Sequence, residues 1–253
     1  SGWKLAAAVS EAGGLGLIGS GSMYPEVLRE HIKKCKAATN KPFGVNVPLL
    51  YPNIEEHIQS IIELKVPIVF TSAGNPATYT QKLKSHGIVV VHVVSNTRFA
   101  QKAEQAGADA VVAEGFEAGG HNGREETTTL CLVPMVCRAV AIPVIAAGGI
   151  GSGQAMLAAF ALGAKGVQAG SRFVASVESS AHPSFKQKVT ATAEGETVLT
   201  LKELTPVRLI KNEFYRQVED AINRGAAKEE LKELLGRGRA KAGMFEGDMA
   251  QGE

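Results

Sequence analysis

DAVVAEGFEAGGHNG, at residues 109–123, is the clearest indication of the fold. Residues 110–113 form a short apolar run typical of a buried strand, and a loop with four glycines and His121 follows at once. Glycine lets backbone approach a ligand closely, and histidine can exchange a proton near neutral pH. The stretch therefore predicts a buried strand that ends in a loop able to perform chemistry.

The same pattern of strand and helix extends over the first two-thirds of the chain. Apolar runs that predict strands lie at 15–18, 43–47, 68–71, 89–94, 110–113, 144–147 and 166–168. Amphipathic stretches that predict helices lie at 25–38, 53–64, 76–86, 96–106, 129–140 and 151–163. Apolar strands separated by helices indicate a parallel sheet that is covered by helices.

Seven strands are one fewer than a closed (β/α)8 barrel requires, and residues 1–9 predict a helix without a preceding strand. We therefore predict an α/β fold, a (β/α)8 TIM barrel whose first strand is missing from this sequence. An open, doubly wound sheet is the alternative. The barrel is favoured because the glycine-rich strand ends are spread along the chain instead of being concentrated after the first strand.

The chain is predicted to divide into a barrel at 1–182 and a helical C-terminal segment at 183–253. The second part is more charged and contains no further barrel strand. Residues 201–208 are interpreted as a connector, and 213–224 and 227–241 as helices. We expect this segment to pack near the barrel mouth.

Composition excludes several classes of function. The net charge is +2 and no basic run is interleaved with aromatic residues, so neither a nucleic acid nor a membrane is expected as a partner. No apolar run reaches membrane-spanning length. The three cysteines lack metal spacing and predict reduced thiols in a cytoplasmic protein, and no metal site is predicted.

Two further glycine-rich turns follow the last two predicted strands. AAGGIGSG at 146–153 leads into a helix, and QAGSR at 168–172 follows the next strand. Such turns expose backbone N–H groups, which bind phosphate well at the start of a helix. Barrels commonly hold a phosphate between the loops after strands 7 and 8, so we expect one here; tight turns without a ligand are the alternative.

Small polar residues at other strand ends are candidates for the same rim. Asn46 and Glu114 are interpreted as ligand contacts, because polar side chains lie at the rim and a carboxylate there can accept from a ribityl or ribose hydroxyl. Turn formation is the alternative for Asn46, and anchoring of the loop's own N–H groups for Glu114. Glu117 is assigned to the structure of its own loop. For Ser72 and Asn75, ligand contact and turn formation are equally supported.

The remaining motifs are interpreted as structural. G-x-G-x-x-G at 14–19 overlaps a strand and follows a helix, unlike a dinucleotide site. The other five histidines are placed outside the site: His31, His57 and His86 on helix surfaces, His92 packed or lining the barrel, and His182 in a connector.

Five segments together resemble the FMN-dependent barrel family of nitronate monooxygenases and type II enoyl-ACP reductases. They are AGGLG at 12–16, PFGVN at 42–46, EAGGH at 117–121, AGGI at 147–150 and GSRF at 170–173. The resemblance implies that His121 is the catalytic histidine. It also implies that FMN is bound by the following residues: Asn46, Glu114, Gly119, Gly120, Ala147, Gly148, Gly149, Gly170 and Ser171.

Glu114 and residues 207–212 resemble the reductase branch more than the monooxygenase branch. The resemblance then implies that NAD(P)H reduces FMN and that hydride passes to the β-carbon of a 2-enoyl thioester on acyl carrier protein, in fatty acid synthesis. His121 would assist protonation or polarise the thioester carbonyl. A homodimer is also implied. Arg208, Lys211 and Arg216 could meet an acidic carrier protein, or simply form a solvated face.

Three other functions stay open from the residues. A nitronate monooxygenase would use His121 to position or deprotonate a nitro compound. A sugar-phosphate isomerase or lyase would use the same phosphate turns without a flavin. A flavin-binding protein without turnover would use the turns but not the histidine.

Overall fold

A computed structural model describes residues 1–236 and 238–252 of the chain. Strands and helices are numbered here in chain order. The main sheet contains seven parallel strands: β1 (Gly16–Gly19), β2 (Phe43–Pro48), β3 (Ile68–Ser72), β4 (Val89–Val94), β5 (Ala110–Glu114), β7 (Val144–Ala147) and β8 (Gly166–Gln168). A smaller antiparallel sheet contains β6 (Gly120–His121), β9 (Thr197–Thr200) and β10 (Val207–Ile210).

The helices follow the strands in the predicted alternation. Those of the first part are α1 (Trp3–Glu11), α2 (Pro25–Ala38), α3 (Ile54–Glu63), α4 (Thr80–Lys84), α5 (Thr97–Gln105), α6 (Thr129–Ala139), α7 (Gly153–Ala161) and α8 (Ser171–Val174). The later ones are α9 (Pro183–Ala191), α10 (Glu213–Asn223), α11 (Lys228–Leu235) and α12 (Arg239–Lys241), with a 3₁₀ turn at Pro76–Thr78 and a π-helical turn at Ala242–Glu246. None of these helices is long and apolar enough to cross a membrane.

The seven-stranded sheet is that of a (β/α)8 TIM barrel, which confirms the predicted fold class. Its strands pair in the order of the chain, β1-β2-β3-β4-β5-β7-β8, without the reversal that defines a doubly wound sheet. Its inner face is a cluster built from strand residues alone, including Phe70, Val91, Val112 and Ile145. Among the described residues, every member of this cluster lies in a strand of the sheet, as expected where a sheet curls around its own side chains in a barrel.

The outer face of the sheet forms the larger part of the core. Val69, Val90 and Val111 are fully buried on this face, against the apolar sides of helices such as α3 and α6. Burial of each such side chain contributes roughly 1.5–3 kcal/mol to folding. His92 lies on this face, where its Nδ1 is 2.7 Å from the hydroxyl of Thr71, so it packs against helices and does not line the barrel.

The histidine predictions need one correction. His57 was expected on a helix surface, but it is 2% exposed and its Nε2 donates to the carbonyl of Met23 at 3.1 Å. This hydrogen bond fastens α3 to the loop after β1, which explains why a polar side chain is tolerated in the core. His86 is exposed, as predicted, but lies in the turn after α4, and the ring of His182 caps α9 by accepting from the N–H of Ser184.

The C-terminal part contains strands as well as the predicted helices. α10 and α11 confirm helices near 213–224 and within 227–241. The interpretation of 201–208 as a connector was wrong at its end, because β9 and β10 form an antiparallel hairpin that pairs Val207 with Thr200. Alternating side chains in the two strands allow one face to be buried, with Val207 and Leu209 in a core shared with α10.

Candidate active site

The carboxyl ends of the parallel strands place several predicted residues on one rim. Side chains two positions apart lie on the same face of a strand. Ser72, Glu114 and Ala147 therefore lie on the inner face, next to the barrel residues Phe70, Val112 and Ile145. Asn46 pairs with Phe70 across the sheet and shares this face.

The turn after β7 has the geometry of an anion site. Gly148 and Gly149 have φ values of 103° and 68°, which few other residues adopt. Within the described parts of the chain, the backbone N–H groups of residues 148–151 donate to no protein acceptor. Four free donors in succession before α7 make a suitable cradle for a phosphate.

Thr129, at the start of α6, holds this turn against the loop after β5. Its hydroxyl lies 2.9 Å from the carbonyl oxygen of Gly148 and 3.0 Å from a carboxylate oxygen of Glu117. Glu117 also accepts from the backbone N–H of Thr129 at 2.9 Å. Glu117 therefore has the loop-structural contacts that its position predicted, and Thr129 is a participant that sequence reasoning missed.

The turn after β8 approaches the same loop. A Cβ built on Gly119 would lie 3.9 Å from the hydroxyl oxygen of Ser171, whereas one on Gly170 would meet nothing within 4 Å. Ser171 begins the short helix α8, and the carbonyl of Gly170 accepts from Phe173. The structure thus brings Gly119 next to Ser171 and leaves open space beside Gly170.

Glu114 is the last residue of β5, and its carboxyl has no hydrogen-bond partner within the described residues. Burial alone raises the pKa of this carboxyl from 4.5 to about 7. A cavity of about 10 Å³ lies beside it, also lined by Ser95, Phe116 and Thr127. A half-buried carboxyl without a partner is an acceptor that a ligand hydroxyl would satisfy.

His121 lies in β6, with Gly120, and its side chain is exposed. The backbone of β6 pairs with β10, His121 opposite Val207 and Gly120 opposite Arg208. The N–H of the next residue, Asn122, donates to the carbonyl of Pro206 at 2.9 Å. The backbone of His121 is therefore held by the C-terminal hairpin, while its imidazole stays accessible.

Two arginines connect the hairpin to the chain around His121. We call residues 115–123 the His121 loop; Arg208 contacts this loop, and Arg124 lies directly after it. Arg208 donates from Nε to the carbonyl of Phe116 at 3.0 Å, and its guanidinium lies 5.2 Å from the centre of the Phe116 ring. Arg124 donates to the carbonyls of Lys202 and Leu204. Arg208 is thus engaged with the loop and is not part of a solvated basic face, whereas Lys211 and Arg216 are exposed.

Two other predicted rim residues make local hydrogen bonds. Asn75 accepts from the N–H of Ala77 with its side chain, which is a turn contact. Asn46 accepts from Ser20 only through its backbone carbonyl, so its amide remains available. No group of three or more potential metal-binding side chains occurs in residues 1–236 and 238–252.

Fold and site together define a TIM-barrel protein with glycine-rich strand ends suited to a phosphate-bearing ligand and a histidine beside them. The profile of the nitronate monooxygenase family matches residues 1–60 and 52–253. The chain belongs to this family.

Several known proteins are similar to this chain over most of its length. FabK from Thermotoga maritima superposes with a TM-score of 0.94 at 47% identity, covering 100% of this chain and 80% of that one. Nitroalkane oxidase from Streptomyces ansochromogenes gives a TM-score of 0.84 at 30% identity, over 99% of this chain and 84% of that one. A probable nitronate monooxygenase from Staphylococcus haemolyticus is 35% identical over 83% of this chain and 72% of its own length.

A further relative is named as the dehydrogenase of a carboxyl-CoA. It is (3aS,4S,5R,7aS)-5-hydroxy-7a-methyl-1-oxo-octahydro-1H-indene-4-carboxyl-CoA dehydrogenase from Rhodococcus jostii, 35% identical over 88% of this chain. The chain spans 63% of the length of that relative.

Proposed function

We propose that this protein is an FMN-dependent oxidoreductase, a type II enoyl-[acyl-carrier-protein] reductase that uses NAD(P)H to reduce 2-enoyl thioesters. The observation that carries the flavin proposal is the pairing of free N–H donors at 148–151 with the unpartnered carboxyl of Glu114 on one rim. The 47% identity to FabK, against 30% to nitroalkane oxidase, favours the reductase.

The described residues fit an FMN at two of its ends. The free N–H groups after Ala147 suit the phosphate, and the open space at Gly170 admits it next to Ser171. Glu114 suits a ribityl hydroxyl, and the free amide of Asn46 suits a polar atom of the ring. We propose that these residues, with Gly119 and Gly120, hold the cofactor.

FMN would supply hydride transfer between NAD(P)H and the β-carbon of the substrate. The role proposed for His121 is to donate a hydrogen bond to the thioester carbonyl, or a proton to the adjacent carbon, as negative charge develops there. Its exposed imidazole allows contact with a substrate that enters from solvent. Its paired backbone would keep the donor in one position, which lowers the entropy cost of the reaction.

A thioester substrate has a second line of support. The relative from Rhodococcus jostii is a dehydrogenase of a carboxyl-CoA, so a thioester occurs among the substrates of similar proteins. We propose that the thioester is presented on acyl carrier protein, with the exposed cations Lys211 and Arg216 available to an acidic carrier. A homodimer is proposed on the resemblance alone.

Nitronate monooxygenase is the second candidate, favoured by the family profile and the relatives from Staphylococcus. In that reaction His121 would deprotonate or orient the nitro compound. Two assays on the same protein sample distinguish the two proposals. Under anaerobic conditions, NADPH and crotonyl thioester should give butyryl thioester; oxygen consumption with an alkyl nitronate and no thioester reduction would contradict the reductase.

A further inference from the structure

We propose that Arg208 is a positioning residue for His121: its side chain holds Phe116 and its backbone pairs with Gly120, the residue before the histidine, which keeps the imidazole in place for its substrate. The effect on kinetics that this inference predicts rests on the proposed function. Its structural part, the ordering of the His121 loop by Arg208, stands by itself.

The side chain of Arg208 binds the beginning of the segment. Its Nε donates to the carbonyl of Phe116 at 3.0 Å, and its guanidinium covers the Phe116 ring at 5.2 Å. Its Nη1 lies 3.3 Å from the hydroxyl of Thr197, in the neighbouring strand β9. The guanidinium therefore joins the first residues of the loop to the hairpin.

The backbone of Arg208 binds the end of the same segment. Arg208 pairs with Gly120, and the preceding Val207 pairs with His121. One residue thus contacts positions 116 and 120, and the three residues between them are closed into a short arc. Fixing both ends of a short arc reduces its conformational freedom, and His121 follows directly after the fixed end at Gly120.

Other contacts also hold this arc, since Glu117 accepts from Thr129 and the side-chain amide of Asn122 donates to the carbonyls of Ala118 and Gly120. The glycines make its last part intrinsically flexible. Gly119 and Gly120 lie within it, Gly120 with a φ of 82°, and a Cβ on Gly120 would meet nothing within 4 Å. β6 has only two residues, and a strand of that length is weak without support. The planar fork of an arginine supplies such support because it can stack on a ring and donate to a carbonyl at the same time.

Arg239 offers a matched control, since it makes the same kinds of contact elsewhere. Its guanidinium lies 4.3 Å from the centre of the Phe214 ring, and its Nε donates to the carbonyl of Leu235 at 3.1 Å. All its contacts are with residues of the C-terminal segment. Arg239→Met therefore removes a stacked, carbonyl-binding guanidinium without touching the His121 loop.

The test compares Arg208→Met, Arg208→Lys and Arg239→Met with the unaltered FMN-loaded protein. Hydrogen exchange should accelerate on the order of tenfold or more for amides 116–123 in Arg208→Met, including the Asn122 amide that donates to Pro206. Arg208→Lys should recover part of the protection, because its ammonium keeps one donor but loses the stack. Arg239→Met should leave these amides unchanged.

Kinetics then separate positioning from general damage. With each variant saturated with FMN, flavin reduction by NADPH should stay within about twofold in Arg208→Met, whereas reoxidation by crotonyl thioester should slow on the order of 10- to 100-fold, a typical effect of a misplaced catalytic group. Unchanged exchange at 116–123, or equal slowing of both half-reactions, would overturn the proposal. If the unaltered protein reduces no enoyl thioester, the proposed function fails, and hydrogen exchange alone still decides the role of Arg208.

Discussion

Glu117 accepts hydrogen bonds from both the backbone N–H and the hydroxyl of Thr129, at 2.9 and 3.0 Å. The same hydroxyl lies 2.9 Å from the carbonyl oxygen of Gly148. The carboxylate of Glu117 accepts from an N–H group in the first turn of α6 that has no acceptor within the helix. Thr129 also contacts the turn after β7, so it links that turn to Glu117. The loop with His121 and the proposed phosphate turn are therefore parts of one hydrogen-bonded unit.

Thr129→Val should loosen this unit at little cost in volume. The variant loses the hydroxyl contacts to Glu117 and Gly148, so we expect a loss of about 1–2 kcal/mol in the free energy of unfolding, together with weaker FMN binding. Urea denaturation and a flavin titration measure the two effects. Thr190→Val, the same change at an exposed hydroxyl in α9, is the control and should alter neither. Unchanged flavin affinity in Thr129→Val would show that the turn is ordered without Thr129.

Gly148→Ala should be poorly tolerated for two reasons. The φ of 103° is unfavourable for any residue with a Cβ, and that Cβ would lie 2.7 Å from the hydroxyl of Thr129 and 2.8 Å from the carbonyl of Gly115. We expect a loss of about 2 kcal/mol or more, measured as a lower Tm. Gly153→Ala, where a Cβ meets nothing within 4 Å, should keep the Tm of the parent protein. Equal stability of the two variants would contradict the described turn.

Glu114 should make the stability of the flavin-free protein depend on pH. Burial raises the pKa of its carboxyl from 4.5 to about 7, so the folded state binds the proton more tightly than the unfolded state. Stability should therefore fall as pH rises from 4.5 to about 7 and level off above that. Glu114→Gln cannot ionise and should gain on the order of 2–3 kcal/mol relative to the parent between pH 5 and pH 8. Urea unfolding at both values measures this difference, and a constant difference would show that the carboxyl is not desolvated.

Sequence predicted the barrel well because its signals are local. The strands at 89–94, 144–147 and 166–168 and the helix at 25–38 coincide with β4, β7, β8 and α2. The helix predicted at 76–86 is instead a 3₁₀ turn followed by α4, since Tyr79, with φ −122° and ψ −11°, interrupts the helical backbone. Apolar periodicity does not report such a break.

The candidate site was predicted less completely, because part of it depends on contacts between distant residues. The glycine-rich strand ends identified the rim. Nothing in the sequence near His121 indicates that Arg208 contacts its loop, because Arg208 lies 92 positions after its partner Phe116. Alternation in TVLT at 197–200 and VRLI at 207–210 was the available signal for the hairpin. This alternation is short, and the charged, helix-like residues around it favoured a helical interpretation of the whole segment.

The role of His121 is tested most directly by rapid mixing of NADPH-reduced protein with crotonyl thioester in the absence of oxygen. His121→Ala should retain FMN and be reduced by NADPH, yet its flavin should reoxidise at least about 100-fold more slowly than that of the parent, the usual loss when a general acid is removed. His86→Ala, at an exposed site on another turn, should match the parent. Reoxidation of His121→Ala at the parental rate, or no reoxidation of either protein by the thioester, would contradict the account.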